Sequence, residues 1–293
     1  MHDNAYSMLK EIKDLGFEHV ELNFSLSKRI VDQTIELVRD GFIRVLSTHN
    51  FCPLPEGVDI SKASPEYYSL ASPGDHERML ALDNTKRTID TACSLGAKAV
   101  VVHAGRTSIK DRTRELAREI EQGRDTTALL TAIKREREKE LKKGYLDYLL
   151  KSLEILSSFS KSYNVKIGLE NRFYYKEIPS MEEFEIIFSY FGKDSNIYYW
   201  HDTGHAQVFD NLNLALHKDY LSRFADRLIG MHLHDVKDTI DDHNAPLKGK
   251  MDFSQFSKYL SGGDVLKILE VHAKATGDDI RKGMEHLKKL YGN

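Results

Sequence analysis

Apolar residues recur along this chain with two different periods, and the two periods alternate. Spacings of three and four residues are typical of amphipathic helices and predict helices over 3–15, 28–40 and 75–95. Between the helical segments lie short, nearly continuous apolar runs, such as Lys98–His103 and Val165–Glu170. Runs of this kind are typical of strands covered on both faces of a parallel sheet. The pattern therefore predicts an α/β protein in which strands and helices alternate.

The full pattern contains seven predicted strands, of which the most informative is the aromatic run that ends in Asp202. A Gly-containing turn after this strand brings His205 back three residues later. Further helices are predicted over 146–163, 181–191, 213–226 and 253–260, and from Asp278 onward. The predicted strands are His19–Leu22, Arg44–His49, Lys98–His103, Val165–Glu170, Ile197–Asp202, Leu228–Leu233 and Val265–Glu270.

The order of elements indicates a single domain over 1–293 with a charged helical insert at about 107–147. Residues suited to bind a metal end strand after strand, and a flat sheet would spread those ends too far apart to converge. A closed (β/α)8 TIM barrel brings all strand carboxyl ends to one mouth. The chain opens in what should be the helix after the first strand. Either the recorded start lies downstream of the true one, or the barrel is incomplete.

Composition limits the classes of partner and the compartment. A formal net charge of −3 gives no overall attraction to nucleic acid or to an anionic membrane. No apolar run approaches the ~20 residues of a membrane helix, and no basic segment leads into an apolar one as in a signal peptide. Cys52 and Cys93 lack metal-motif spacing, which favours free thiols in a reducing cytosol. We therefore expect a cytoplasmic protein that makes no membrane contact.

The insert carries alternating charges, most densely in Lys134–Glu140. A run of this kind most often forms a solvated helical face. A lid or a dimer arm is the functional alternative, and the sequence leaves open whether the chain forms a homo-oligomer.

Candidate metal ligands gather at the predicted strand ends and in the loops that follow them. One such histidine taken alone is more often a hydrogen-bonded core residue. Nine candidate ligands at one barrel mouth favour a metal site instead, because clustered carboxylates repel one another unless a cation compensates their charge. His234 and His272 lie two positions beyond His232 and Glu270 on the same strand faces, and suit an outer layer or substrate contact. The nine candidates are His49, His103, Glu170, Asp202, His205, His232, Asp241, His243 and Glu270.

Four short motifs resemble those of the xylose-isomerase-like TIM barrels, a family that includes sugar isomerases, epimerases and the abasic-site nuclease endonuclease IV. The resemblance spans nearly the whole chain and lacks only the first strand. It implies the four-ligand site of the isomerase branch at Glu170, Asp202, His232 and Glu270. In the nuclease branch it also implies a trinuclear zinc site with further ligands at His49, His103, His205, Asp241 and His243. The motifs are Leu169-Glu170-Asn171, Asp202-Thr203-Gly204-His205, His232-Leu233-His234-Asp235 and Leu269-Glu270.

The two branches imply different chemistry. In an isomerase or epimerase, one divalent ion holds adjacent sugar oxygens, and Glu170 and Glu270 act as acid and base at the carbon beside the carbonyl. In a phosphodiesterase, clustered ions generate hydroxide and stabilise the leaving oxygen. The ligand count favours hydrolysis, whereas the acidic composition and the aromatics after Glu170 favour a sugar. We expect one to three ions, and the imidazole ligands favour zinc or manganese over magnesium.

The expected substrate is therefore a small sugar or sugar phosphate, with nucleic acid a partner only under the nuclease alternative. His205, which also counts among the catalytic residues, and His234 would position hydroxyl groups. Arg106 is a candidate anion binder, although a surface salt bridge explains it equally well. Arg172 is a candidate substrate contact in the segment after Glu170. A metal-binding protein without catalysis is the third class, and it would have a closed site with no turnover.

Overall fold

The computed structural model of this protein describes residues 4–292. Three 3-10 helices lie at Ile60–Lys62, Ala225–Arg227 and Phe253–Phe256. The α-helices are α1 (Ala5–Asp14), α2 (Lys28–Arg39), α3 (Asp75–Ser94), α4 (Thr113–Glu121), α5 (Thr127–Leu141), α6 (Tyr145–Ser162), α7 (Met181–Phe191), α8 (Thr203–Asn211), α9 (His217–Phe224), α10 (Ser257–Leu260) and α11 (Gly277–Tyr291). The strands are β1 (His19–Leu22), β2 (Arg44–His49), β3 (Ala99–Val102), β4 (Gly105–Arg106), β5 (Lys166–Glu170), β6 (Glu177–Ile178), β7 (Ile197–Asp202), β8 (Leu228–Leu233), β9 (Asp235–Lys237), β10 (Asp241–Asn244) and β11 (Leu266–Leu269).

The seven predicted strands are confirmed, with ends that differ by at most one residue. They are hydrogen-bonded in the order β1-β2-β3-β5-β7-β8-β11. By contact density the described chain forms two compact units that are interleaved in sequence. The prediction of a single domain therefore stays a prediction.

The first unit comprises the described chain up to Arg106 together with Tyr145–Leu169 and Ile187–Tyr198. In it β1, β2, β3 and β5 are parallel neighbours. The side chains of Val100–Val102 in β3 are fully buried, as expected for a strand that is covered on both faces.

The second unit comprises Thr107–Gly144, Glu170–Ile186 and the described chain from Tyr199. Here β8 lies between β7 and β11 and runs parallel to both. His232 of β8 is in register with Asp202 on one side and with Ile268 on the other. The carboxyl ends of these strands therefore meet at one edge, and polar residues that follow them are brought together.

Three local predictions differ from the structure. The helix predicted over 253–260 begins as the 3-10 helix Phe253–Phe256, and only its second half is the α-helix α10. The Gly-containing turn after Asp202 is the first turn of helix α8, because the Asp202 side chain caps that helix by accepting the backbone N–H of His205. The helix predicted over 213–226 is the shorter α9 followed by a 3-10 turn. In addition, β9 and β10 form an antiparallel pair that the sequence pattern did not predict.

The charged insert folds as predicted into helix, namely α4 and α5. Its apolar residues pack in the second unit, where Leu116 and Ala117 of α4 form a cluster with Val208 of α8 and Val236 of β9. Across the described residues, no helix combines the length and the apolar character needed to cross a membrane.

In the second unit, the close packing of β7 against β8 requires a glycine at position 230. Trp200 is fully buried and its ring lies against Gly230. A Cβ atom on Gly230 would stand 2.1 Å from ring atom Cζ3 of Trp200. The strand pair therefore accommodates the indole only because residue 230 has no side chain.

We expect Gly230→Ala to lower the free energy of unfolding by about 1–3 kcal/mol, because the added methyl group overpacks the core. Urea denaturation of the purified variant measures this. Gly262 is the matched control, since a Cβ there has no neighbour within 4 Å. Equal stability of Gly230→Ala and Gly262→Ala would contradict the packing argument.

Candidate metal centre

Four polar side chains meet at the carboxyl ends of the strands in the second unit. Glu170 ends β5, Asp202 ends β7, His232 lies near the end of β8, and Glu270 directly follows β11. The backbone N–H of Glu270 donates to the carbonyl of Leu233 at 3.3 Å, so the strand pairing continues through Glu270. Glu170, Asp202 and His232 are buried and Glu270 is partly buried.

These side chains converge on one nitrogen atom, Nδ1 of His232. Glu170 Oε1 lies 2.6 Å from it, Glu270 Oε2 lies 3.0 Å from it and Asp202 Oδ2 lies 3.7 Å from it. Three carboxylates this close repel one another, and burial makes their charges costly unless positive charge lies among them. The cluster therefore has the electrostatic requirement of a cation site.

The charge states of two of these carboxyl groups are set by neighbouring histidines. Burial raises the pKa of Asp202, but His205 and His234 outweigh this effect and hold that pKa well below its usual value. Burial likewise raises the pKa of Glu270, and His232 and His243 bring it below its usual value. Both groups are therefore ionised at neutral pH.

The donor atoms fit a divalent cation. One ligand atom from each of the four side chains can be chosen so that all lie within 4.8 Å of one another. Three carboxylates and one imidazole form a nitrogen and oxygen donor set, which suits zinc, manganese or magnesium. Glu170, Asp202, His232 and Glu270 are the residues that would hold the ion.

Asp202 is fixed by its neighbours in the second unit. Its Oδ1 accepts the backbone N–H of His205 at 2.7 Å, and both carboxylate oxygens lie 2.9 Å from Nε2 of His234. The Asn171 side chain accepts the backbone N–H of Asp202 at 2.8 Å and donates to its carbonyl at 3.0 Å. Tyr199 holds Asn171 in turn by donating its hydroxyl proton at 2.9 Å.

His234 has both ring nitrogens engaged. Its Nδ1 accepts the backbone N–H of His243 at 2.8 Å, so the ring proton lies on Nε2 and points at Asp202. The ring also packs against Gly204, where a Cβ atom would stand 2.1 Å from ring atom Cε1. His234, predicted to contact substrate, is thus occupied in holding Asp202.

A second group of possible ligands lies beside the first and consists of His205, Asp242 and His243. His205 Nδ1 donates to the carbonyl of Asn171 at 3.0 Å, which leaves Nε2 as the acceptor. That nitrogen lies 3.7 Å from Oδ2 of Asp242, and the same oxygen lies 2.9 Å from Nδ1 of His243. His243 Nε2 is also 3.6 Å from Oε2 of Glu270, so the two groups adjoin.

Asp242 occupies the place in this group that the sequence assigned to Asp241. The Asp241 side chain is exposed, because the β9–β10 pair turns its neighbour inward. The strand pairing is irregular between Asp241 and Asn244, and His243 has a φ of 53°, so adjacent residues Asp242 and His243 join the same group and simple alternation does not hold. The acidic pair could therefore not be resolved from the sequence. A ligand at Asp241 stays a prediction.

Comparisons with known proteins identify the family of this chain. A family profile described as xylose isomerase-like TIM barrel matches residues 9–290. The chain belongs to the xylose isomerase-like TIM barrel family. An uncharacterized protein of Methanocaldococcus jannaschii is 24% identical over 300 residues, which cover 98% of this chain and 94% of that protein.

Two solved structures have a similar fold. A D-tagatose 3-epimerase-like protein has a TM-score of 0.67 at 19% identity, over 98% of this chain and 95% of that structure. The IolI protein with a bound zinc atom has a TM-score of 0.66 at 16% identity, over 99% and 95%. Identities this low establish the shared fold alone. The family match over residues 9–290 confirms the TIM-barrel class expected from the sequence.

Three residues predicted for the site of this family member lie in the first unit. His49 and His103 are buried, with ring centroids 4.8 Å apart in an edge-on arrangement, and Nδ1 of His103 lies 2.9 Å from Oε1 of Glu66. Arg106 donates to the carbonyl of Glu66 and lies 3.4 Å from the carboxylate of Glu77. These contacts give Arg106 the salt bridge that the sequence allowed, and metal binding by His49 and His103 stays a prediction.

Arg172, predicted as a substrate contact, is buried between two carboxylates of the second unit. Its Nη1 lies 2.7 Å from Oε2 of Glu170, and its Nη2 lies 3.3 Å from Oε2 of Glu177. From the sequence, Asn171 was identified only as part of a motif, and Glu177 was not assigned to the site. The position of Asn171 directly after a candidate ligand was the available signal, whereas Glu177 gave none.

Replacing each residue of the acidic pair separately tests the second group. We expect Asp242→Asn to reduce the zinc or manganese retained per chain, because it removes a charged ligand between His205 and His243. Asp241→Asn should retain the wild-type amount and is the matched control. Elemental analysis of protein purified without chelator measures both, and metal loss in Asp241→Asn alone would restore the sequence-based assignment.

Cation binding by the second group should depend on pH. Burial lowers the pKa of His243, but the carboxylates of Asp242 and Glu270 outweigh it and raise that pKa to about 11. A cation must therefore displace a proton at neutral pH, so the affinity rises as pH rises and binding releases protons. Titration calorimetry in buffers of different ionisation enthalpy counts those protons. A release that is the same in wild type and in His243→Asn would contradict this account.

Proposed function

We propose that this protein is a divalent-cation-dependent isomerase or epimerase that moves a proton at the carbon beside the carbonyl of a small sugar or sugar phosphate. One observation carries the proposal: the carboxylates of Glu170 and Glu270 both lie within 3.0 Å of Nδ1 of His232. Proton transfer at carbon needs one group that removes a proton and one that returns it. Two carboxylates around one point meet that need.

The two carboxylates differ in their other partners, which suits unequal tasks. Glu170 pairs with the guanidinium of Arg172, which is permanently charged and stabilises the ionised carboxylate. Glu270 instead faces His243, whose raised pKa keeps it protonated at neutral pH. We therefore assign Glu170 as the base that takes the proton from carbon. Glu270, itself ionised, would pass to the carbon a proton that it receives from protonated His243, whose Nε2 lies 3.6 Å from Glu270 Oε2. A divalent cation bound at this site would polarise the carbonyl oxygen.

His205 is suited to orient a substrate hydroxyl group. Burial lowers its pKa below the usual value of histidine, so it is neutral at physiological pH. Since Nδ1 donates to the carbonyl of Asn171, Nε2 is free to accept the hydroxyl proton. His234 has no such nitrogen, and we assign it to the support of Asp202.

A second candidate function is cation-dependent hydrolysis of a phosphodiester. The adjoining group of His205, Asp242 and His243 favours it, because hydrolases of this type use clustered ions to activate water and to stabilise the leaving oxygen. The net charge of −3 provides no attraction to a polyanionic substrate. Isomerisation of a small molecule therefore remains the first candidate.

Incubation with a panel of ketoses and ketose phosphates in deuterated water tests the proposal. We expect deuterium to enter the carbon beside the carbonyl, and Glu170→Gln and Glu270→Gln each to slow this exchange by about 100-fold or more, since a positioned acid or base contributes that much. Exchange is read by proton NMR. The exposed Glu285 on α11 supplies the control Glu285→Gln, which should exchange like the wild type.

An oligonucleotide containing an abasic site is incubated in parallel with the same protein. Cation-dependent cleavage of this oligonucleotide, with no deuterium in any sugar, would overturn the isomerase proposal in favour of hydrolysis.

A further inference from the structure

One residue in the charged run of the insert behaves unlike its neighbours. Between Lys134 and Glu140 the side chains are exposed or half-buried apart from that of Arg137, which is 6% exposed. A permanently charged guanidinium is costly to bury unless its donors are satisfied. The contacts of Arg137 therefore indicate the structural role of this part of the insert.

The guanidinium of Arg137 makes four hydrogen bonds in the second unit. Nη1 and Nη2 donate to the two carboxylate oxygens of Glu183 at 2.7 and 2.9 Å, a two-pronged geometry that lysine cannot reproduce. Nε donates to the carbonyl of Tyr175 at 2.9 Å, and Nη2 also donates to the carbonyl of Glu177 at 2.8 Å. Arg137 thus holds α7, through Glu183, and the backbone of 175–177 at the same time.

The backbone that Arg137 holds carries the carboxylate of Glu177. This segment forms a turn held by two hydrogen bonds. The backbone N–H of Glu177 donates to the carbonyl of Tyr174, and the backbone N–H of Tyr174 donates to Oε2 of Glu177. The same Oε2 lies 3.3 Å from Nη2 of Arg172. The position of the Arg172 guanidinium therefore depends on a turn that the insert fixes.

Arg172 connects this turn to the candidate metal centre. Its Nη1 lies 2.7 Å from Oε2 of Glu170, and Oε1 of Glu170 lies 2.6 Å from His232. Arg172, Glu170 and Glu177 are each at most 4% exposed, so water does not screen these pairs. Charges alternate from Glu177 through Arg172 to Glu170, and the other carboxylate oxygen of Glu170 lies against His232.

We propose that Arg137 is a positioning residue for Glu170, acting through the 174–177 turn, Glu177 and Arg172, so that the charged insert orients the base of the candidate site. The consequence for catalysis rests on the proposed function, whereas the consequence for cation binding does not. With Arg137 removed, the turn loses its anchor, Arg172 loses its fixed partner, and Glu170 is no longer held at the position of a ligand.

Trp200 provides a direct optical signal for the test. It is the one tryptophan of the sequence, and its ring centroid lies 5.1 Å from that of His232. Manganese(II) added to metal-free protein quenches nearby fluorescence, so a titration followed at Trp200 gives the cation affinity without any substrate.

We expect Arg137→Gln to weaken manganese binding by about tenfold or more, the usual effect of removing a residue that orients a ligand. Arg135→Gln, an exposed arginine on the same helix, should bind like the wild type. Ile133→Ala is the control for stability, because Ile133 is a buried residue of α5 that lines a small cavity together with Tyr175 and Lys176 but, as an aliphatic side chain, donates no hydrogen bond to the carbonyls that Arg137 holds. It should lower the melting temperature and leave the affinity unchanged.

Equal manganese affinity in Arg137→Gln and wild type would overturn the inference, and so would an equal loss in Ile133→Ala. If Arg137→Gln does not fold, Glu177→Gln replaces it, since that change keeps the carbonyls that Arg137 holds and removes the charge that faces Arg172. It should weaken binding to a similar degree, and wild-type affinity would again overturn the inference. A wild-type protein that binds manganese but exchanges no deuterium would end the proposed function alone.

Discussion

Three carboxylates, from Glu170, Asp202 and Glu270, approach a single nitrogen of His232 in a buried part of the second unit. Their mutual repulsion is the constraint to which the surrounding residues respond. Arg172 faces Glu170, His234 faces Asp202 and His243 faces Glu270. Each carboxylate has a positive or hydrogen-bonding partner on its outer side, and a cation bound among the three would balance the remaining charge. The cluster is therefore a candidate cation site built from residues that would otherwise be costly to bury.

Asp202 shows how several structural requirements meet at one position. It ends β7, caps helix α8 and accepts a hydrogen bond from Nε2 of His234. Asn171 holds both backbone groups of Asp202, so the side chain has little freedom to turn. The absence of a side chain at Gly204 allows the His234 ring to approach. The Asp-Thr-Gly-His sequence is therefore a helix start and a ligand support at once, and each task limits the residues that fit.

The charged insert also contributes contacts to the surroundings of these carboxylates. Its first helix packs apolar residues against α8 and β9, and its second places Arg137 among buried acceptors. Most of the charged run is solvated, as such runs usually are, and the exception is the residue that faces inward. A lid over the site is not required to explain why the insert is present, because its contacts already reach a turn that supports Arg172.

The sequence by itself determined the order and the type of most elements, since these depend on local periodicity. The strands were placed to within one residue, and Glu170, Asp202, His232 and Glu270 were selected as candidate ligands from their positions at strand ends. Tertiary structure alone decided which of Asp241 and Asp242 faces inward, because the pairing of β9 with β10 is irregular at these residues. It also decided the buried contacts of Arg137 and Arg172, whose partners Glu183 and Glu177 are brought near by packing. Local patterns encode periodicity and caps, but a long charged side chain can reach any of several partners, and only the packed chain selects one.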